Sequence, residues 1–229
     1  MYPKINLVFF LILIVLIPYQ IESVAPPIKK IVSTSWLELN LEKNIKIVDV
    51  RGDIKSYWEG HIPGAVYLHP ESLRLSENGV PGKLIDPNIL YDILEDLGID
   101  DNSWVIVYSD GNDFKATYFI WALDYISHNQ SSVLDGGFEK WKKEGKKITK
   151  DYPKIEEAHY NLPRNASINY RIKADLEYVK ENKDKKDVIL LDVRTKELYD
   201  GKSGMWKRLG HIPGAIHHFW GDDLNEDGS

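Results

Sequence analysis

A carboxylate and a guanidinium two residues apart, followed by a histidine set between glycines, occur twice in this chain. Asp49-Val50-Arg51 precedes Gly60-His61-Ile62-Pro63-Gly64-Ala65, and Asp192-Val193-Arg194 precedes Gly210-His211-Ile212-Pro213-Gly214-Ala215. An aspartate with an arginine at the end of an apolar strand can brace a loop as an ion pair, and a histidine in a turn can serve as a general base. The repetition favours the structural reading of both histidines, because the same ring at the same place in both copies fits a turn whose backbone groups need a partner. The chain therefore reads as a tandem duplication. The first copy runs on for about 85 residues past Gly60, whereas 229 − 210 = 19 residues follow Gly210. The second copy is expected to be incomplete, the sequence being a fragment of a longer chain.

The composition bounds the chemistry. The chain has 229 residues, 43% hydrophobic and 28% charged, ordinary for one or two soluble globular domains. A net charge of −6, without a dominant Lys/Arg stripe, gives no reason to expect nucleic acid. The lysines at 142, 143, 146 and 147 are interleaved with Glu139 and Glu144 and read as a solvated helix face. There is no cysteine, so disulfides, thiolate metal sites and cysteine nucleophiles are excluded within these residues.

The chain opens with Lys4 and the apolar run from Leu7 to Ile17, closed by Pro18, with Ser23-Val24-Ala25 following. Residues 1–25 are read as a signal peptide for export, or else as a membrane anchor, since the run is short of the roughly 20 residues a span needs. Export places the protein in the periplasm, outside the cell, or on a membrane facing outward; membrane contact is expected only if this segment is retained.

The elements that must position the doubled motif follow from periodicity. Ser35 with Glu38 forms a capping-box pattern for a helix through Leu41, and residues 45–50 form a strand. Asp86-Pro87 starts a helix whose face is Leu90, Ile93, Leu94 and Leu97, ended by Gly98. Residues 104–108 form a strand, Ala116, Ile120 and Leu123 a helix, Val133-Leu134 a short strand, and 138–143 a last helix. Strands alternating with helices, with near-continuous apolar strands, predict an α/β fold with a parallel sheet covered on both sides. Domain 1 is assigned to 31–149, a linker to 150–172 and the incomplete second domain to 173–229, where a helix over 173–182 and a strand over 188–193 repeat the scheme. The Asp-to-Gly interval lengthens from 60 − 49 = 11 to 210 − 192 = 18, an enlarged loop around residues 202–208.

With the segment from Val32 to Leu37 and Leu134-Asp135-Gly136-Gly137-Phe138-Glu139-Lys140-Trp141, these motifs closely resemble the tandem-domain rhodaneses, the thiosulfate and 3-mercaptopyruvate sulfurtransferases. The resemblance runs from about Ile31 to Ser229. It implies a rhodanese-like fold in two copies, the first catalytically silent and the second carrying a cysteine on a tight loop that opens a helix, where converging backbone N–H groups stabilise a thiolate and an anionic donor. It implies transfer of the outer sulfur of thiosulfate, through a persulfide, to cyanide or a thiol, by a monomer with neither cofactor nor metal.

In the first copy the equivalent loop is Ser109 to Phe114, with Ser109 where the nucleophile would stand and Asp110 and Asp113 expected to repel thiosulfate. Ser109 lies 49 residues after Gly60, and the same spacing from Gly210 reaches position 259. No catalytic residue is therefore assigned within the chain. Candidate substrate contacts are Arg194 in the catalytic copy, Lys202, Lys207 and Arg208 in the enlarged loop, and His69. The family commonly places a basic residue four positions after the arginine, and in this chain that position is Leu198. His69 stands where mercaptopyruvate-type members carry an aspartate, and the region around Val80 lacks their His-Met-Leu-Pro stretch, which favours thiosulfate. Trp58, Trp206 and Trp220 read as packing residues. The alternative is a non-catalytic binding or scaffold module using the first domain; a phosphatase on the related fold would need a cysteine and an arginine that Ser109 to Phe114 lacks.

Overall fold

A computed structural model of the chain describes residues 30–229 except 42, 162 and 164–166. The segment read as a leader lies outside the described residues, and no helix among those described is long and apolar enough to cross a membrane. The first copy runs β1 (Ile31–Val32), α1 (Thr34–Glu38), β2 (Ile45–Asp49), α2 (Ile54–Glu59), β3 (Ala65–Tyr67), β4 (Arg74–Glu77), β5 (Val80–Leu84), α3 (Pro87–Asp96), β6 (Trp104–Tyr108), α4 (Lys115–Tyr125), β7 (Ser131–Leu134) and α5 (Gly137–Lys143). Five of these strands form one parallel sheet in the order β1-β7-β6-β2-β3.

Because successive side chains on a strand point to opposite faces, β2 and β6 feed two cores at once. Val48, Val105 and Val107 pack with Leu90, Tyr91 and Leu94 of α3 and Phe119, Ile120 and Leu123 of α4. Ile47, Ile106 and Tyr108 pack on the other face with Leu37 of α1 and Phe138 and Trp141 of α5. The expected parallel sheet covered on both sides is the one observed, and its apolar runs are continuous because both faces are buried.

Helix termini follow local chemistry. The Asp86 carboxylate accepts from the Asn88 amide at 2.8 Å, Pro87 supplies the first helical residue of α3, and Gly98 leaves the helix at φ +71°. Helix α1 departs from its expected limits. Its cap is Ser33, whose Oγ accepts from the Trp36 amide at 3.2 Å, so the helix starts before Ser35 and ends at Glu38. The buried Thr34, bonded to Glu144 of the segment after α5, draws that first turn into the fold.

Two further differences concern strands. β4 and β5 make a separate antiparallel hairpin, outside the parallel sheet. Its turn is Asn78-Gly79, both at positive φ (52° and 77°), the dipeptide that suits the twist of a two-residue hairpin. In the second copy, α6 (Leu176–Asn182), β8 (Leu191–Asp192), α7 (Lys196–Tyr199) and β9 (Ile216–His217) follow the linker. The strand expected over 188–193 contracts to Leu191–Asp192. Among the described residues β8 pairs with β9 alone, whereas β2 is held between β3 and β6.

Among the described residues of 173–229 none is buried, and Ile189, Leu191 and Ile216 are more than half exposed. Leu94→Ala in the first core is expected to cost about 2–5 kcal/mol, and Ile189→Ala to stay within about 0.5 kcal/mol, in denaturant unfolding. Limited proteolysis of the chain is expected to cleave within 173–229 well before it cuts within 31–149; equal rates would contradict the difference in burial.

Candidate functional site

The carboxylate of Asp49 is fully buried at the C-terminal end of β2, and its neighbours explain how it can be. It accepts from the Arg51 amide at 3.0 Å, from Arg51 Nε at 3.0 and 3.1 Å, from Arg51 Nη2 at 2.7 Å and from the Tyr108 hydroxyl at 2.8 Å. The Tyr108 oxygen in turn accepts from the Ile62 amide at 3.3 Å. Arg51 Nη2 also donates to the Gly60 carbonyl at 2.8 Å, and the guanidinium lies 3.9 Å from the Phe138 ring centroid. Burial opposes the charge on Arg51, but the Asp49 hydrogen bonds and charge outweigh it and hold its pKa above the ordinary arginine value. Burial, and then the Asp49 charge, raise the Tyr108 pKa far above that of a free phenol.

The second copy repeats the arginine, tyrosine and histidine contacts of this frame, without a counterpart, among the described residues, of the Tyr108 bond or of the Phe138 ring. The Arg194 amide donates to Asp192 at 3.2 Å, its Nε and Nη2 donate at 2.8 and 2.5 Å, and Nη2 reaches the Gly210 carbonyl at 2.9 Å. Tyr57 and Tyr199 donate to the Ala65 and Ala215 carbonyls, each at 2.8 Å. His61 and His211 stack on those tyrosines with centroids 3.8 Å apart, and each donates from Nδ1 to the tyrosine's own carbonyl at 2.9 Å. Both histidines therefore satisfy turn backbone, as their repetition implied. The Tyr57 phenol is pushed up to about 12 by burial, with Asp49 and Tyr152 adding to it. The matched tyrosines are not evident from residue order because the enlarged loop puts Tyr199 eleven residues before Gly210, against three for Tyr57 and Gly60.

The loop Ser109–Phe114 leaves the end of β6 and opens α4. It is clamped from one side by the first turn of α5: Phe138 N–H donates to the Ser109 carbonyl at 2.8 Å and Glu139 N–H to the Asp110 carbonyl at 3.2 Å. That approach explains the Gly-Gly of the Leu-Asp-Gly-Gly motif. A Cβ on Gly137 (φ +57°) would sit 2.5 Å from the Ser109 oxygen, and one on Gly111 (φ +118°) 2.3 Å from the Gly136 oxygen. Ser109 is buried. Asp113 accepts from the Lys115 amide at 2.8 Å and pairs with the Lys115 ammonium, so a carboxylate of the chain itself occupies the N-terminus of α4. Burial, followed by the Asp113 charge, raises the Asp110 carboxyl above its usual range. An anionic donor would meet two acids at this loop.

Beside the loop is a cleft of about 490 Å³ lined by Asp110, Asn112, Lys140, Lys142, Glu226 and Asp227 among others, with charges of both signs. Lys140 pairs with Asp227, and the Phe114 and Trp220 rings meet edge to face at 6.4 Å, so the second copy rests on the loop-bearing end of the first. A larger space of about 930 Å³ lies between the hairpin, α4 and residues 172–176, running along the hairpin from Glu77 to Asp86 and apart from Ser109.

The other candidate residues are dispersed. His69 is exposed and caps the turn Pro70–Leu73, its Nδ1 accepting from the Glu71 amide at 3.2 Å. Lys202 lies 3.1 Å from Asp200, while Lys207 and Arg208 are exposed. Arg194 meets the enlarged loop through the Trp206 ring, 5.6 Å away. No cluster of three or more potential metal ligands occurs among the described residues.

A family model for the rhodanese-like domain matches residues 33–144 and again 175–228. The chain belongs to the rhodanese family. Among relatives of this rhodanese-like chain, a putative thiosulfate sulfurtransferase of Synechococcus elongatus is 34% identical over 191 residues, covering 82% of this chain and 58% of that protein. A sulfur carrier protein of Thermus thermophilus is 32% identical over 209 residues, covering 87% and 72%. The 3-mercaptopyruvate sulfurtransferase SseA of Escherichia coli has the same fold, with a TM-score of 0.77 at 24% identity over 87% of this chain and 78% of that one. The chain thus spans 58% and 72% of the length of these two relatives and 78% of SseA.

Asp49→Asn is expected to destabilise the first domain by about 3–5 kcal/mol in denaturant unfolding, since it strands a buried guanidinium. Asp192→Asn should cost clearly less, because Arg194 is about one-third exposed and water can replace the lost partner. Equal losses would mean that the two frames do not differ in burial as described.

Proposed function

We propose that this rhodanese-like chain serves sulfur transfer, with the first copy silent and the reactive cysteine on a second-copy loop near position 259. The observation that carries this reading is the recurrence in both frames of the Asp–Arg pair, the arginine bond to the glycine carbonyl, and the tyrosine and histidine contacts. Arg194, Asp192, Tyr199 and His211 brace β8 and the turn before β9 as their counterparts brace β2 and the turn before β3. In the first copy, that frame supports the loop after β6, and there Asp113 has taken the anion's place at the helix terminus. The second frame is built for an equivalent loop, and an anion and a thiolate would occupy it.

The donor is a small anion such as thiosulfate. The thiolate attacks the outer sulfur, the S–S bond breaks, and sulfite leaves with the bonding pair. Attack by cyanide or a thiolate on the outer sulfur of the resulting persulfide yields thiocyanate or a new persulfide and returns the thiolate. Arg194 is committed to Asp192 and Gly210, so its part is to position. Lys207 and Arg208, with Lys202 beside Asp200, are the exposed cations suited to draw the anion in. No step needs a metal or an organic cofactor. The protein acts as a monomer, its two copies facing each other within one chain.

The test is thiocyanate formation from thiosulfate and cyanide. The 229-residue chain should give none above the uncatalysed rate. A chain extended through position 259 with the reading frame of its gene should be active, and serine in place of the loop cysteine should abolish turnover. Turnover by the 229-residue chain would overturn the assignment of the chemistry to the second copy. An extended chain without a cysteine in that loop would instead favour a rhodanese-like binding module.

A further inference from the structure

The described residues of the linker over 150–172 cross the first domain mostly exposed or half-buried. Among its described residues one is buried, Tyr160. Its ring packs 4.9 Å from Tyr91 of α3, its amide donates to the Glu95 carboxylate at 2.7 Å, and its hydroxyl hydrogen-bonds Nδ1 of His128. His128 follows α4 through Ser127, a non-glycine residue held at φ +60°, and is itself 2% exposed. Its Nε2 is sealed from solvent without a hydrogen bond of good geometry, although the backbone of Ser103 and Gln130 lies beside it. Neither the frame around Asp49 nor the loop at Ser109 uses this pair.

We infer that the His128–Tyr160 contact is a pH-responsive latch that fixes the interdomain linker to the first domain when the imidazole is neutral and releases it when the imidazole is protonated. The neutral ring accepts the Tyr160 proton at Nδ1. Protonation turns Nδ1 into a donor, forces the Tyr160 hydroxyl hydrogen to seek another acceptor, and leaves a cation in an apolar site.

The surrounding charges do not compensate. Asp100 faces the ring, but it is committed to Ser103, whose Oγ donates to it at 2.7 Å. Lys30, which also faces the ring, opposes protonation, although it pairs with Asp124 at 2.6 Å. Glu95 and Asp101 accept from the linker amides of Tyr160 and Asn161. Desolvation leads, and lowers the His128 pKa below the ordinary value of 6.5. The sign follows: the released linker binds the proton more readily than the latched one, so the latch is at full strength above pH 6.5. It weakens as pH falls from there toward the depressed pKa, by up to about tenfold per pH unit.

Tyr160 is the buried anchor of the linker's middle, so its release loosens the stretch around it, while Ile168 on the first core and the Asn169 amide on the Tyr125 carbonyl hold the far end.

Hydrogen exchange of the full chain, corrected for intrinsic rates, tests this at pH 7.5 and 5.5. Peptides spanning Tyr160 should lose up to about tenfold in protection at the lower pH, while β6 peptides remain protected. His128→Gln should abolish that pH dependence. Tyr160→Phe, which keeps the packing on Tyr91, should loosen the linker already at pH 7.5. Linker protection that ignores pH in the wild-type chain, an unchanged pH dependence in His128→Gln, full protection in Tyr160→Phe, or equal loss in β6 would each overturn the latch.

Discussion

A buried carboxylate organises this molecule. Asp49 is withdrawn from water at the end of a central strand, and a charge there persists only if every lone pair is answered. The answers come from separate parts of the chain: Arg51 just beyond β2 and Tyr108 on β6. Arg51 then reaches the Gly60 carbonyl before β3 and the face of Phe138 in α5. An isolated apolar core would tolerate many registers of these elements. A paired charge tolerates few, and the ends of β2 and β6, the Gly-His-Ile-Pro-Gly-Ala turn and the Gly-Gly turn are drawn to one point.

That convergence places the loop after β6. Once Phe138 is fixed beneath Arg51, its amide and that of Glu139 meet the carbonyls of Ser109 and Asp110, and the backbones come too close for any side chain at Gly111 or Gly137. A loop so held sits at a helix N-terminus with its backbone fixed before any side chain is considered. Asp113, just before the Phe114 cap of α4, accepts from the helix's first amide, that of Lys115. The acids at this loop, Asp110 and Asp113, thus belong to the chain itself.

The second copy shows the same constraint in a more open setting. Arg194, Asp192 and Gly210 reproduce the pairing, yet the arginine is about one-third exposed and no described residue of 173–229 is buried. The hydrogen bonds Arg194 keeps with Asp192 and Gly210 have lengths close to those of Arg51. Local hydrogen-bonding geometry is therefore encoded in the motif itself, whereas burial depends on how many strands and helices are gathered around it.

Much is legible in residue order. The alternation of strands and helices, the two-sided parallel sheet and the α3 boundaries at Asp86 and Gly98 follow from patterns spanning a few residues, because they express backbone geometry and strand or helix period. The Asn78-Gly79 hairpin is equally local, although no expectation was drawn from it. The apolar run over 188–193 overstates its strand, because strand length depends on partners as well as apolar content. What only the tertiary structure decided are meetings between distant residues: Tyr108 on Asp49 across 59 positions, Tyr160 on His128 across 32, and Phe114 on Trp220. A sequence states which groups are charged, polar or apolar and how the chain turns near them. Which buried charge finds which partner is settled by the packing of whole elements, since that packing alone removes the water that would otherwise answer it.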